Sequence, residues 1–587
     1  MKHVTAALAL ASVAFHIWLI FSGLVPNLLS RPVHLIFALP FVFLFTKDRV
    51  KPLDALLCAL GVSICLYIVW NRDALSDQYG SLEGWPQRIA AVALVLIVLE
   101  MARRAVKLAL PIVACIALLY GIFGQYLPGE FGHPGIPFDS FFGTLVIAEG
   151  GLWGPLTGVS VNVVAVFIML GAAVSAGEGG TAFMSIATRL AGRLQAGAAK
   201  VSVLSSALFG SISGSASANV ASTGAITLPT MKRLGYPASL AGAVEATAST
   251  GGQIMPPLMG AGAFVMAELL RTNYTAIITA AFLPALLFFV AVWFGVDLFA
   301  KRYGLTPMAP EDIPSTKRVI RLSPFFVIPF GTLLIVLFAT GRTPQFGAAL
   351  AIFAAAGLLV IDENWHVSIT RWGKRLLSAS RAAAQQIAMV ASIIICAGLI
   401  IGVLNMTGLG VKVTSVILSL SGGTLWGALA LTAIACLILG MEVPTTAAYV
   451  ICVSVAGPAL QELGLPALQA HLFVFWYALL STITPPVCGT VFIAAGMANT
   501  PWVPVAGKAM ALGLGLYLVP IAFVVTPALV MPEANTALAA MAFAKVGAGL
   551  WLLAQGIVSS ERSPLARILA GACGLGLILT PLTLLNA

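Results

Sequence analysis

Charge is what this 587-residue sequence has least of: Asp, Glu, Lys and Arg make up 9% of it, against 60% hydrophobic residues. Soluble domains carry about a quarter of their residues as charged side chains, so a water-soluble core is excluded. Also missing is the alternation over about ten residues that marks a membrane barrel strand, which excludes a barrel. The eight cysteines include no CxxC pair, so they form neither a zinc site nor a disulfide framework. Without GxxxxGK[ST] there is no ATP-driven pump in the chain, and without HExxH there is no intramembrane metalloprotease. The net charge of +10 is spread in short basic clusters between apolar runs, where the positive-inside rule expects them, and offers no nucleic-acid surface. What is present is hydrocarbon: apolar runs recur from Ala6 to Leu584, each about twenty residues long and able to cross roughly 30 Å of bilayer. The expected fold is an all-α polytopic membrane protein of about fifteen transmembrane helices plus two re-entrant hairpins.

The charge clusters predict a topology. Lys47, Arg49 and Lys51 mark one side, Asp73, Asp77 and Glu83 the other, and Arg103, Arg104 and Lys107 return to the first. Read by the positive-inside rule, the N-terminus is cytoplasmic and five spans lie near 6–25, 32–46, 52–70, 87–101 and 108–124. The first run is too long for a signal-peptide core and counts as a span. Residues 128–140, "PGEFGHPGIPFDS", have a linker's Pro and Gly density. They are expected to separate a scaffold module over 1–127 from a transport module over 141–587, whose last helices fall at about 536–584. In that module Trp153 to Ala176 crosses inward. Arg189, Arg193, Lys200, Lys232 and Arg233 are all cytoplasmic, so the short apolar stretch Gly197 to Phe209 must enter and leave by one face. Its tip is "GSISGSASAN", Gly210 to Asn219. Further on, "WHVSITRWGKRLLSASR" (365–381) is amphipathic and is predicted to lie along the membrane surface.

An internal repeat is visible without gaps. Pro229 pairs with Pro458, Pro237 with Pro466 and Pro257 with Pro486, each 229 residues apart, with ten identities in the thirty-two positions from Pro229 to Gly260. The first copy, within about 150–300, follows a span ending in the cytoplasm, and the second, within about 380–530, a span ending outside, so the copies are expected to be inverted. Inverted repeats with interrupted helices point to a secondary transporter's binding site. Each copy offers a hairpin tip, "GSISGSASAN" or "LGMEVPTTAAY" (Leu439 to Tyr449), and a broken helix, "STGGQIMPP" (Ser249 to Pro257) or "STITPP" (Ser481 to Pro486). Serines on membrane helices are commonly packing surface, but matched breaks in two copies need ligands, ions or water to satisfy the freed backbone. Hydroxyls and carbonyls suit a hard cation, and helix N-termini suit an anion.

Ionisable residues at membrane depth are functional hypotheses by default. Glu149, Glu178 and Glu268 fall near span ends and read as solvated. Glu245, Glu442 and His471 are the proton-coupling candidates: Glu442 lies in the second tip, and Glu245 lies one helical turn from Gly242, the repeat mate of His471. For His471 alone, a satisfied structural histidine is the competing reading.

The stretches "SGSASANVASTGAITLPTMKRLGYP", "VEATASTGGQIMPPLMGAGAFVMAE", "GMEVPTTAAY" and "AHLFVFWYALLSTITPPV" are similar to the large membrane subunit of TRAP (tripartite ATP-independent periplasmic) transporters. The resemblance is to the TAXI class, with small (Q-type) and large (M-type) subunits fused in one chain. It covers about residues 140–530, while the first five spans match in position and number alone. The resemblance implies an elevator-type symporter in the bacterial inner membrane that takes a small organic anion, a dicarboxylate or 2-oxo acid, from a periplasmic substrate-binding protein. It implies no enzymatic activity, no cofactor and no resident metal, and a coupling ion that is H+ or Na+. Carried over by position, one cation site falls on Ser211, Ser213, Ser215 and Asn219 with Ser249, Thr250 and Gly251. The other falls on Gly440, Thr445 and Thr446 with Ser481, Thr482 and Thr484. Ser215, Ser217, Gln253, Pro444, Thr445 and Tyr449 are the candidate substrate contacts. The family usually has a small or apolar residue where this sequence has Glu442, which keeps proton coupling open beside sodium. Competing readings are a symporter that needs no binding protein, a passive channel, and an intramembrane serine hydrolase using a hydroxyl of Ser211 to Ser217 with His471, for which there is no GxSxG.

Overall fold

A computed structural model describes residues 2–45, 51–106, 108–441 and 443–582. Lys47, Arg49, Lys107 and Glu442 lie outside the described residues. The described chain is helical, its one β-bridge joining Ile361 to Val367. Leaving aside the six-residue helix Arg72–Asp77, the first five helices are Lys2–Phe21, Asn27–Phe43, Pro52–Trp70, Gly84–Val106 and Ala109–Phe123. The second starts ahead of its expected position because Pro26 caps it and Pro32 is accommodated within it. Arg104 pairs with Asp54 at 2.5 Å, and its guanidinium lies 4.5 Å from the Phe43 ring centre. That brings the ends of the second and fourth helices to the start of the third, the alternation that the charge clusters imply. At the opposite end Arg88 pairs with Asp139 at 2.6 Å.

Among the described residues, eight helices are long and apolar enough to cross a membrane, or nine if the pair Pro310–Leu322 and Pro324–Ala339, bent by 51°, is one span. The expected fifteen or so are not reached on length because several apolar helices, Leu425–Gly440, Ala467–Leu480 and Gly489–Ala498 among them, are shorter pieces. Two expectations are corrected. Residues 128–140 are no free linker: Tyr120 donates to the Phe131 carbonyl at 2.7 Å, Lys412 donates to the Gly132 carbonyl at 2.6 Å, and helix Phe138–Val146 already begins inside the segment. The basic stretch 365–381 is not a separate surface helix either. From Ile369 it runs unbroken to Thr407, 39 residues or roughly 58 Å, because Ser368 caps it and no proline interrupts it.

This long helix is the axis of the molecule, with most of its apolar part buried. It packs on Pro155–Ala176 and on four of the first five helices, and among them it approaches backbone closely. A Cβ on Gly402 would stand 2.5 Å from the Gly150 carbonyl oxygen and 3.2 Å from the Gly151 Cα. Gly402→Ala is therefore expected to destabilise the protein by about 1–3 kcal/mol, since backbone cannot yield as a side chain can. Gly571→Ala, with open space around it, should fall within about 0.5 kcal/mol. Thermal unfolding in detergent compares the two.

The repeat is present as structure, residue for residue. Helix Ala216–Arg233 corresponds to Thr445–Glu462, and Ala238–Gly251 to Ala467–Leu480, all four ends at the same 229-residue offset. Both Pro-Pro bonds, 256–257 and 485–486, are cis. The hairpins are Gly197–Ser213 with Ala216–Arg233, and Leu425–Gly440 with Thr445–Glu462. The broken helices resume at Ala261–Leu269 and Gly489–Ala498.

Candidate functional site

The first tip forms because Gly214 takes φ +60° at the end of Gly197–Ser213, after which Ser215 caps the next helix by accepting from the Ala218 amide at 3.3 Å. It meets the first break through glycines: a Cβ on Gly210 would lie 2.4 Å from the Gly252 Cα. Asn219, wholly buried, donates to the Ser206 carbonyl at 2.9 Å and the Ser249 carbonyl at 3.4 Å, tying both hairpin helices to the broken one. Ser211 donates to the Leu208 carbonyl at 2.8 Å, and the Ser213 side chain lies outside the described residues. Gly251 is a packing position, where a Cβ would stand 1.9 Å from the Phe288 ring.

Behind this contact sits Glu245, wholly buried. Its carboxylate is ringed by four hydroxyls: Ser202 at 2.7 Å, Ser249 at 3.2 Å, and Thr223 and Thr227 in direct contact. Among the described residues no cation forms an ion pair with it. Lys200 is turned to Asp297 at 2.5 Å, and Lys232 donates to the Ala498 carbonyl at 3.0 Å. Ser206 extends the network, 3.3 Å from the Thr223 hydroxyl and 3.4 Å from that of Ser249.

The second tip and break are built alike. A Cβ on Gly440 would stand 2.6 Å from the Ser481 hydroxyl. Ser481, Thr482 and Thr484 donate to the carbonyls of Ala478, Leu479 and Leu480 at 2.8, 2.7 and 2.7 Å, which satisfies the end of Ala467–Leu480. The two breaks touch: the hydroxyls of Thr250 and Thr482 are 3.1 Å apart. Tip and break also meet across the copies, since Thr445 donates to Gln253 Oε1 at 3.3 Å while Gln253 Nε2 donates to the Gly214 carbonyl at 3.1 Å.

Two adjoining cavities, about 520 and 400 Å3, open at this junction. Ser215, Ser217, Gln253, Pro444 and Thr445 line both, and Thr446 lines the larger. The starts of four helices, at Ala216, Ala261, Thr445 and Gly489, border them. Aligned amides at such ends favour an anion, and among the described residues no charged side chain lines either cavity. Gln385 and Gln386 of the long helix form the facing wall. Met441 and Val443 line the smaller cavity, while Glu442 between them is outside the described residues. Tyr449 is not in these walls: it is buried with its hydroxyl 2.8 Å from His471 Nδ1.

Residues 93–538 match the family described as the DctM component of tripartite ATP-independent periplasmic transporters. The chain belongs to that family. The match spans well over half of the sequence and begins within the fourth helix, ahead of the expected module boundary. A C4-dicarboxylate TRAP transporter large permease protein of Pseudomonas aeruginosa is 23% identical over 336 residues, covering 57% of this chain and 77% of its own length. A Haemophilus influenzae protein provisionally named as a TRAP transporter large permease is 24% identical over 397 residues, 67% of this chain and 90% of its own. This is a family of permeases and not of enzymes, which removes the serine-hydrolase reading, and its members work with a periplasmic substrate-binding protein.

Ser202, Ser206, Thr223, Thr227, Gln385 and Gln386 were not anticipated. A signal existed: Ser202 and Ser206, like Asn219, Thr223 and Thr227, recur every four residues and so share one helix face. For His471 the geometry gives a structural partner. Tyr449→Phe should cost about 1 kcal/mol of stability, the worth of one buried hydrogen bond, and leave the pH profile of uptake unchanged. A displaced pH profile would return His471 to coupling.

Proposed function

We propose that the chain is a proton-coupled symporter of a small organic anion, a dicarboxylate or 2-oxo acid, across the bacterial inner membrane, supplied by a periplasmic binding protein of the TAXI type. The observation that carries the coupling is the Glu245 network. Thr223 and Thr227 each have one proton and two acceptors in reach, the carboxylate and a carbonyl four residues back: Asn219 at 2.8 Å and Thr223 at 3.0 Å. With the carboxyl ionised, both hydroxyls turn to it. With the carboxyl protonated, its O–H donates to one threonine, whose own proton turns to the carbonyl. Both states are satisfied by rotating hydroxyls, with no side chain displaced and no orphaned buried group. A sodium ion would instead require those oxygens to present lone pairs to it.

For the anion, four helix N-termini supply fixed partial positive charge, and Ser215, Ser217, Gln253 and Thr445 supply hydrogen bonds to carboxylate oxygens. The P. aeruginosa relative's name, a C4-dicarboxylate permease, supports that class. The TAXI assignment rests on the four sequence stretches quoted above. The hairpins and broken helices are the moving body in this reading, sliding as an elevator against the long helix and the first five helices, with the N-terminus cytoplasmic. Ser481, Thr482, Thr484 and Gly440 shape the second break.

Proteoliposomes test both halves. Uptake should depend on the purified binding protein, and robust uptake by the chain alone would favour a two-component symporter. Glu245→Gln should lower accumulation driven by a pH gradient at least tenfold while leaving exchange of substrate across the membrane active. Wild-type accumulation by the variant would remove Glu245 from coupling.

A further inference from the structure

A third cavity, about 330 Å3, lies on the other flank of the first hairpin and has no part in the substrate site. Thr227 lines it while donating to Glu245. One threonine, itself 2% exposed, therefore stands between the cavity and the carboxylate. The walls are hydroxylated in register. Thr227 and Thr230 continue the face of Thr223 along one helix, and across from them Thr181, Ser185 and Thr188 occupy the same i, i+4, i+7 spacing on helix Gly179–Ala191. Two facing hydroxyl ladders between otherwise apolar helices offer water and ions continuous partners. The mouth is charged: Arg233 pairs with Asp312 at 2.9 Å, beside Glu311 and Arg318. It lies on the face that carries Arg189, Arg193, Lys317 and Arg321, the cytoplasmic one by the positive-inside rule.

We propose that this cleft is a separate ion passage, through which the coupling ion leaves Glu245 for the cytoplasm without crossing the substrate cavity. The proposal rests on the reading of Glu245 as the coupling site. Its physical content is that ion and substrate part by different doors: the anion by the hairpin tips, the cation along the hydroxyl ladders, with Thr227 as the first partner after the carboxylate and Thr230 nearer the mouth. Closing the cleft should then stop the ion cycle and spare movements in which the ion stays bound.

The test uses Thr230→Cys, at the half-buried outer end of the ladder, with the exposed Cys115 and Cys573 replaced by serine. A membrane-impermeant thiol reagent is supplied from the cytoplasmic face, in the full-length protein with its binding protein. Modification is expected whether or not saturating substrate is present. It should slow net gradient-driven uptake at least fivefold while substrate exchange stays within twofold of the unmodified rate, which also shows that the labelled protein remains folded. Protection of the introduced thiol by substrate, equal loss of uptake and exchange, or unchanged net uptake after complete labelling would each overturn the passage. Glu245→Gln, measured in parallel, separates the outcomes. If that variant accumulates substrate like the wild type, the coupling assignment has failed. If it does not, and labelled Thr230→Cys does, the passage alone has failed.

Discussion

A helix that stops inside a membrane protein leaves its last carbonyls and the next helix's first amides without partners, and hydrocarbon cannot supply them. The chain stops helices in this way at Ser213, Gly251, Gly440 and Leu480. Each stop is tolerated because another stop is packed against it or hydroxyls cap it. Gly210 and Gly252 bring backbone against backbone, Ser481 fits against Gly440, and Ser481, Thr482 and Thr484 take up the freed carbonyls of the second break. The restarting helices use part of their amides in the same way, Ala218 donating to Ser215 and Thr490 to the Thr482 carbonyl. Their starts border the two cavities, where in the proposed reading an anion would complete the arrangement.

The same economy explains how a carboxyl group is held in the core between the first hairpin and the first broken helix. An isolated carboxylate inside protein costs several kcal/mol unless it is hydrogen-bonded or paired. Glu245 has four hydroxyl donors and, among the described residues, no cation partner. The donors sit on three helices, Ser202 on one arm of the hairpin, Thr223 and Thr227 on the other, and Ser249 on the broken helix. A change at the carboxyl is therefore felt by all three. Because Asn219 joins the same three helices a turn closer to the tip, the charge state of Glu245 and the geometry of the cavities at the hairpin tips share their supports.

Much of this was legible in the sequence. Glycine and proline marked the tips and breaks, and the constant offset of the prolines fixed the correspondence of the copies, since helix ends follow those residues. Glu245 stood out as a carboxylate in an apolar run. Its partners did not, because four-residue spacing shows which hydroxyls share a face but not which helix that face meets. The long helix was misread for a related reason: Arg371, Lys374 and Arg375 describe an amphipathic surface, and only the lack of a proline on the way to Thr407 reveals that it continues into the bundle. Residues 128–140 looked like a linker by composition, yet Lys412, nearly three hundred residues away, fastens them.

The central claim is that protons moving through Glu245 drive the anion inward. It is tested most directly by recording external pH in sodium-free proteoliposomes, with binding protein present, as substrate is added. The account predicts alkalinisation of the medium that accompanies uptake and vanishes with Glu245→Gln. Uptake with no pH change, accompanied instead by sodium entry once sodium is restored, would contradict it.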